Sequence, residues 1–347
     1  MVMRQVAQLA DVSISTVSRV LSHHPNIAAE TVRNVHRAMA QLNFIPPVRR
    51  MMRRDAVDTQ PASLAMLVFG TSGGQVAPAF QSLLRGVSEA ASQHGAELVF
   101  SFVRDPEELP QRVTEGRIDG LLLHGTRPSA HLQAKLSQIP TVWLMANRQR
   151  PMWGDQVMPN NPAIGEMAVR YLTRRGHKNL ACLKAVNDGW SLRLRGWAFA
   201  QSGIDAEVDV DIIEAADLSD DNIWSAQGLS ETADYLVGQL LSRPTMPTGI
   251  FVLEDRLLPP IHEALLSRGI STGPRGDLEI LSCNNERPQL AGPHDLPATI
   301  DICANRIGRR GIEQLLWRMK HPDANGRMSV LVEPHLVEPA SEIGPSQ

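Results

Sequence analysis

Residues 10–21 read ADVSISTVSRVL, and within them Ser13, Ser15, Thr16 and Ser18 crowd around Arg19. Hydroxyls compete with the backbone for partners, so a helix carrying several of them is either weak or using them outward. Short hydroxyls allow close approach to phosphates, and an arginine guanidinium pairs with O6 and N7 of guanine. The charge distribution suits that chemistry. Residues 1–54 hold eight arginines against Asp11 and Glu30, a net +6, while the remainder carries −9 within an overall −3. A basic head on an acidic body is expected of a chain in which one segment meets a polyanion. A solvated basic helix, or a helical hairpin used for protein contact, is the plainer alternative. Other chemistries lack their motifs. VFGTSGG at 68–74 follows a strand pattern and precedes a helix, yet it has neither the Gly-Lys-Ser/Thr ending of a P-loop nor GxGxxG spacing. There is no HExxH and no GxSxG, and Cys182, Cys283 and Cys303 form no CxxC pair. No enzymatic activity, metal site or cofactor is expected.

The elements that must position these residues are legible in outline. At 347 residues and 43% hydrophobic content, two or three packed units are expected. No apolar run reaches the roughly 18 to 20 residues of a membrane span, and no secretory leader pattern opens the chain. With an odd number of dispersed cysteines, these features predict a cytoplasmic protein. Val6, Leu9 and Ala10 form one stripe of a first helix over 3–10, followed by a break at Asp11-Val12. Ser13 is a good N-cap for a second helix to about Leu21, with Val17, Val20 and Leu21 inward. Val32, Val35, Met39 and Leu42 share a face of a third helix that ends near Asn43, before Pro46-Pro47. Residues 47–62 read as a basic, then polar linker. Beyond it, strand patterns at 64–69, 96–102, 118–124, 139–145, 179–185, 208–213, 249–253 and 278–283 alternate with helical ones near 78–94, 162–175, 225–242 and 258–268. Such alternation predicts parallel sheets with helices on both faces, and roughly ten strands exceed one sheet of usual size.

The segment VAQLADVSISTVSRVLSHHPNIAAETVRNVHRAMAQLNFIP resembles the DNA-binding headpiece of the LacI/GalR family of bacterial transcription regulators. Its core, VSxxTVSRVL, is highly specific. The likeness continues through LLRGVSEAASQHG, RIDGLLLHG, YLTRRGHKNLACL, LRLRGW, IFVLED and GRRGIEQLLWRM to LVEPHLVEPAS, nearly the whole chain. It implies an α/β protein with an N-terminal three-helix helix-turn-helix headpiece (1–46), a hinge (47–62), a periplasmic-binding-protein-like core (63–340) and a short tail (341–347). The core would comprise two doubly wound parallel-sheet subdomains, about 63–158 plus 288–320 and about 159–287 plus 321–340.

In the family, the two residues after the turn serine and the following arginine read bases, which implies Ile14, Ser15 and Arg19 here. Ser13, Thr16, Ser18 and Asn26 complete the candidate DNA contacts. Asp11 departs from the usual turn glycine, but aspartate tolerates left-handed geometry. Family hinges carry a leucine that wedges into the minor groove. That position falls on Arg53, with Met51 and Met52 just before it. For the cleft, the resemblance implies an effector held by Phe80, His124, Trp190, Arg193, Trp224, Glu254, Asp255 and Asn284. Asn284 and Met145 stand where sugar-binding members often place aspartates, which changes the hydroxyls that can be gripped. The function implied is a repressor acting as a homodimer on a pseudo-palindromic operator, under control of a small molecule, a sugar or sugar derivative first. A nucleobase effector, or none, is the alternative; a ligand-binding protein without DNA function is the contrasting class. The ending ASEIGPSQ is too short for the extra helix of the family's tetramers.

Overall fold

Three short helices at the N-terminus bury a small apolar cluster. In the computed structural model these are α1 (Val2–Leu9), α2 (Ile14–Leu21) and α3 (Ala29–Gln41). The structure describes residues 2–21, 27–42, 61–70, 78–104, 109–145, 153–185, 189–215, 225–290 and 296–339. Val6, Ala7, Ala10, Val17, Val20, Val35 and Ala38 form the cluster, with Met3, Val12, Ile27, Val32 and Met39 packed against it. The inward positions differ slightly from the expected stripes: Ala7 is buried, whereas Leu9 and Leu42 are exposed. The break after α1 is a left-handed cap. Asp11 adopts φ +51°, the Val12 amide donates to Ala7 O at 2.9 Å and the Asp11 amide to Gln8 O at 3.4 Å, the Schellman pattern.

The remainder builds two six-stranded sheets. In chain order the elements are β1 (Ser63–Phe69), α4 (Pro78–Gln93), β2 (Glu97–Val103), α5 (Gln111–Thr114), β3 (Gly120–Gly125), α6 (Ala130–Leu136), β4 (Thr141–Leu144), β5 (Asp155–Pro159) and α7 (Asn161–Arg174). Then come β6 (Asn179–Lys184), α8 (Trp190–Asp205), β7 (Asp209–Glu214), α9 (Ala226–Leu241), β8 (Gly249–Val252), α10 (Leu258–Leu266) and β9 (Glu279–Cys283). The chain ends with α11 (Arg287–Leu290), β10 (Ala298–Asp301), α12 (Ala304–Lys320), β11 (Ser329–Val332) and β12 (His335–Val337). The first sheet has the order β11-β5-β4-β3-β1-β2 and the second β12-β10-β9-β8-β6-β7. All pairings are parallel except that of β12 with β10. A strand buried on both faces, such as β1, reads as a continuous apolar run for that reason.

The chain passes between the sheets after β5, after β10 and after β11. This corrects the expected subdomain limits. Residues 288–290 and 296–301 belong with the second sheet, because Ile300 pairs with Cys283, and 321–332 with the first, because Val330 pairs with Val157. The crossings are tied together: the Asn160 amide donates to Val332 O at 2.9 Å and its side chain to Glu333 at 2.8 Å. Each subdomain also contains a buried ionic brace. Arg318 of α12 grips Asp155 of β5 at 2.9 and 2.6 Å. Burial alone would raise the Asp155 pKa, but Arg318, the Met328 amide and Gln314 hold it below the usual value. Glu279 is likewise held low, despite burial, by Arg175, His177 and Tyr171. Helices α4 and α12 touch backbone to backbone: a Cβ on Gly86 would lie 2.0 Å from Asn305 O, and one on Gly308 2.3 Å from Leu83 O. That contact fixes α4 against the first sheet.

Candidate DNA-contact surface and effector cleft

Helix α2 is held by Val17 and Val20, which have almost no exposed surface, so its opposite face is committed to solvent. Ile14 is 44% exposed, Ser15 and Arg19 are exposed, and Thr16 and Ser18 are half-buried. Ser13 acts as the N-cap: its Oγ accepts the Thr16 amide at 3.0 Å. The Ser15 and Thr16 hydroxyls lie 2.7 and 2.8 Å from the same oxygen, so a small hydroxyl cluster crowns the helix N-terminus. Thr16 thus engages Ser13 rather than a helix carbonyl. Backbone N–H groups, hydroxyls and the positive end of the helix dipole are together suited to an anionic phosphate. Asn26, Met51, Met52, Arg53 and Trp224 lie outside the described residues.

In the core, polar side chains converge where the parallel strands end, the place where open α/β sheets hold ligands. On the first sheet, His124 closes β3 and Phe80 opens α4; their rings are 5.0 Å apart, and His124 Nδ1 lies 3.0 Å from Leu144 O. Phe100 and Phe102 of β2 extend this aromatic group, at 6.4 and 6.5 Å from Phe80. On the second sheet, Glu254 and Asp255 follow β8 and Asn284 follows β9. Asn284 and Asn285 take φ +113° and +56°, a loop bent out of ordinary L-residue conformation.

Arg195, which sequence reasoning passed over, joins these elements. It is buried in α8, donating from Nε to Asn161 at 3.0 Å and from Nη1 to Leu253 O at 2.9 Å and to Asn284 at 3.2 Å. Arg193, the residue expected from the motif, is exposed, and Trp190 is half-buried. A signal for Arg195 did exist: it shares helical spacing with the buried Leu192 and Phe199, a stripe on which an arginine needs partners. Asp255 also differs from expectation. It has no exposed surface and accepts the Glu286 amide at 2.6 Å and the Thr299 hydroxyl at 3.3 Å, so it braces the loop after β9 and offers no face to a ligand. Burial pushes its pKa up to about 7. Burial raises Glu254 and Glu286 as well, with Arg256 and Arg195 opposing. Glu254 lies 3.7 Å from Arg256, and one oxygen of each glutamate, Oε2, is buried with no hydrogen-bond partner. His124 thus lies at the end of β3, Glu254 and Asn284 follow β8 and β9, and Phe80 lies in the first turn of α4.

Among the described residues no helix is long and apolar enough to cross a membrane. Residues 2–47 match bacterial regulatory proteins of the lacI family, and residues 73–254 match the periplasmic binding proteins and sugar binding domain of the LacI family. Residues 169–341 match a periplasmic binding protein-like domain. The ribose operon repressor of Escherichia coli K12 is 25% identical over 337 residues, covering 92% of this chain and 93% of its own. The repressor PurR of Vibrio cholerae M66-2 is 26% identical over 348 residues, covering 96% of each. The solved complex of the regulator CelR with cellobiose superposes with a TM-score of 0.64 at 18% identity, over 98% of this chain and 99% of that one. The lac repressor dimer bound to operator and the anti-inducer ONPF gives 0.62 at 21%, over 98% of both chains. These structural likenesses show the fold. A headpiece of the lacI type joined to a core matched over more than half of the chain settles the class: the protein belongs to the LacI/GalR family of bacterial transcription regulators.

Proposed function

We propose that this regulator is a cytoplasmic, homodimeric repressor whose operator affinity is set by a sugar or sugar derivative in the core cleft. The observation that carries the DNA half is the outward face of α2, where Ile14, Ser15 and Arg19 are exposed beside the hydroxyl cluster of Ser13. In this reading Arg19 pairs with a guanine edge, Ile14 meets a thymine methyl, and Ser13, Ser15, Thr16, Ser18 and Asn26 serve bases or phosphates. Two such headpieces on a two-fold axis address a pseudo-palindromic site, with Met51, Met52 or Arg53 entering the central minor groove.

The effector half is supported by the ribose operon repressor, similar over 92% of this chain, and by the ribose and cellobiose in solved relatives. Phe80, His124, Trp190, Arg193, Trp224, Glu254 and Asn284 are the proposed contacts, with Arg195 orienting Asn284. Carboxylate and amide oxygens suit hydroxyl donors. A bound sugar changes operator affinity only by its differential affinity for the two core states. A thermal-shift panel of pentoses, hexoses, disaccharides, sugar acids, sugar phosphates and nucleobases tests this. One sugar present at a hundredfold over its Kd should stabilise the core by about 2.7 kcal/mol and change operator affinity. A shift from nucleobases alone would replace the sugar reading, and no shift from any compound would remove it.

A further inference from the structure

Glu286 belongs to the subdomain of the second sheet, yet its carboxylate serves the other one. Its Oε1 accepts the backbone N–H of Ala79 at 3.2 Å, and Ala79 is the second residue of α4 on the first sheet. The two partners are 207 positions apart in the chain, and both are buried. The first N–H groups of a helix have no partner inside it, and the dipole makes that end favour an anion. Here the anion comes from across the cleft. The glutamate is itself held in place: Asp255 accepts its amide at 2.6 Å, and the preceding Asn285 donates to Asp301 at 2.9 Å. At its other end the same loop begins with Asn284, which Arg195 holds at 3.2 Å. Helix α4 cannot drift from its own subdomain, because its backbone lies against α12 at Gly86 and Gly308.

We propose that Glu286 is a positioning residue that latches the two subdomains of the core through the N-terminus of α4, and that the 284–286 loop couples this latch to the effector site. Opening the cleft must break the bond to Ala79 and expose the carboxylate. Closing it restores a charge-assisted hydrogen bond at a helix end. A ligand touching Asn284 acts on the same three-residue loop, so it strengthens or releases the latch without reaching Glu286. The link to the effector rests on the cleft reading above; the latch itself does not.

Four variants of the full-length protein test it: Glu286→Ala, Glu286→Gln, Ala79→Pro and the double variant Glu286→Ala with Ala79→Pro. Proline removes the donor N–H, sets a ring carbon in its place and is tolerated in a first helical turn; α10 of this chain already begins Leu258-Pro259-Pro260. Circular dichroism confirms the fold, small-angle scattering reports subdomain separation without ligand, and operator binding against effector concentration gives the midpoint. Glu286→Ala and Ala79→Pro should each enlarge the ligand-free core and raise the effector midpoint about tenfold, because a smaller fraction is closed and competent. Glu286→Gln, which keeps an acceptor oxygen but no charge, should fall between them and wild type. The double variant should match the single ones. Unchanged scattering in both single variants, or additive effects in the double, would overturn the latch. Altered scattering with no sugar binding would uphold it while removing the effector reading.

Discussion

Arg19 is exposed on a helix whose other face is fixed by Val17 and Val20, and it is not among the residues packed into the small apolar cluster. Arg19→Ala should weaken operator binding by about 1–3 kcal/mol and relax discrimination at one base pair. Competition titrations against operators altered one pair at a time measure this; a uniform loss at every operator would reduce Arg19 to a phosphate contact. Asp255 makes a pH prediction. Burial raises its pKa from 3.8 to about 7 in the folded core, so the folded state keeps a proton that the unfolded chain releases near pH 4. Its contribution to stability is complete below the unfolded value and declines as pH rises through 7. The melting temperature of the core relative to Asp255→Asn should therefore increase as pH falls from 7 to 4; a widening gap in the opposite direction would contradict the buried, proton-holding site. At this scale the sequence was a partial guide. Ser13 as a cap follows from local chemistry alone, and Asp11 as a left-handed residue from the family's turn glycine that it replaces. Arg195 and the enclosed Asp255 depend on contacts with Asn161, Leu253, Glu286 and Thr299, which lie 31 to 58 positions away in the chain.

Among the elements, the brace between β5 and α12 should be the most sensitive single contact in the first subdomain. Asp155 has 1% of its side chain exposed and Arg318 13%, so Asp155→Ala leaves a guanidinium largely out of water and takes the carboxylate partner from the Met328 amide and from Gln314. The expected cost is about 3–5 kcal/mol in chemical denaturation of the core, and Asp155→Leu with Arg318→Met should recover part of it. A loss below about 1 kcal/mol would show the pair to be solvated. Long apolar strands and the amphipathic helices α4, α7, α9 and α10 were readable from periodicity. Strands β5, β10, β11 and β12 were not, since three to five residues carry too little alternation, and two of them set the subdomain limits that sequence reading misplaced. Helix α8 escaped for another reason: it exposes Trp197 and Ile204 while burying Arg195, which inverts the usual contrast between its faces.

At the level of the whole molecule, a basic headpiece is joined to a core of two mainly parallel sheets, the domain pair that the LacI family models match. The +6 charge of residues 1–54 supplies attraction to any duplex, and such attraction is sequence-independent and falls with salt. In the proposed reading specificity comes from α2 and from two-fold repetition of it. The direct measurement is selection of bound duplexes from a random library by the full-length protein at physiological salt. The recovered sequences should converge on an inverted repeat whose half-sites are centred about 10 base pairs apart. Recovery of unrelated sequences, or of a single half-site without its inverted partner, would contradict a dimeric, sequence-specific repressor.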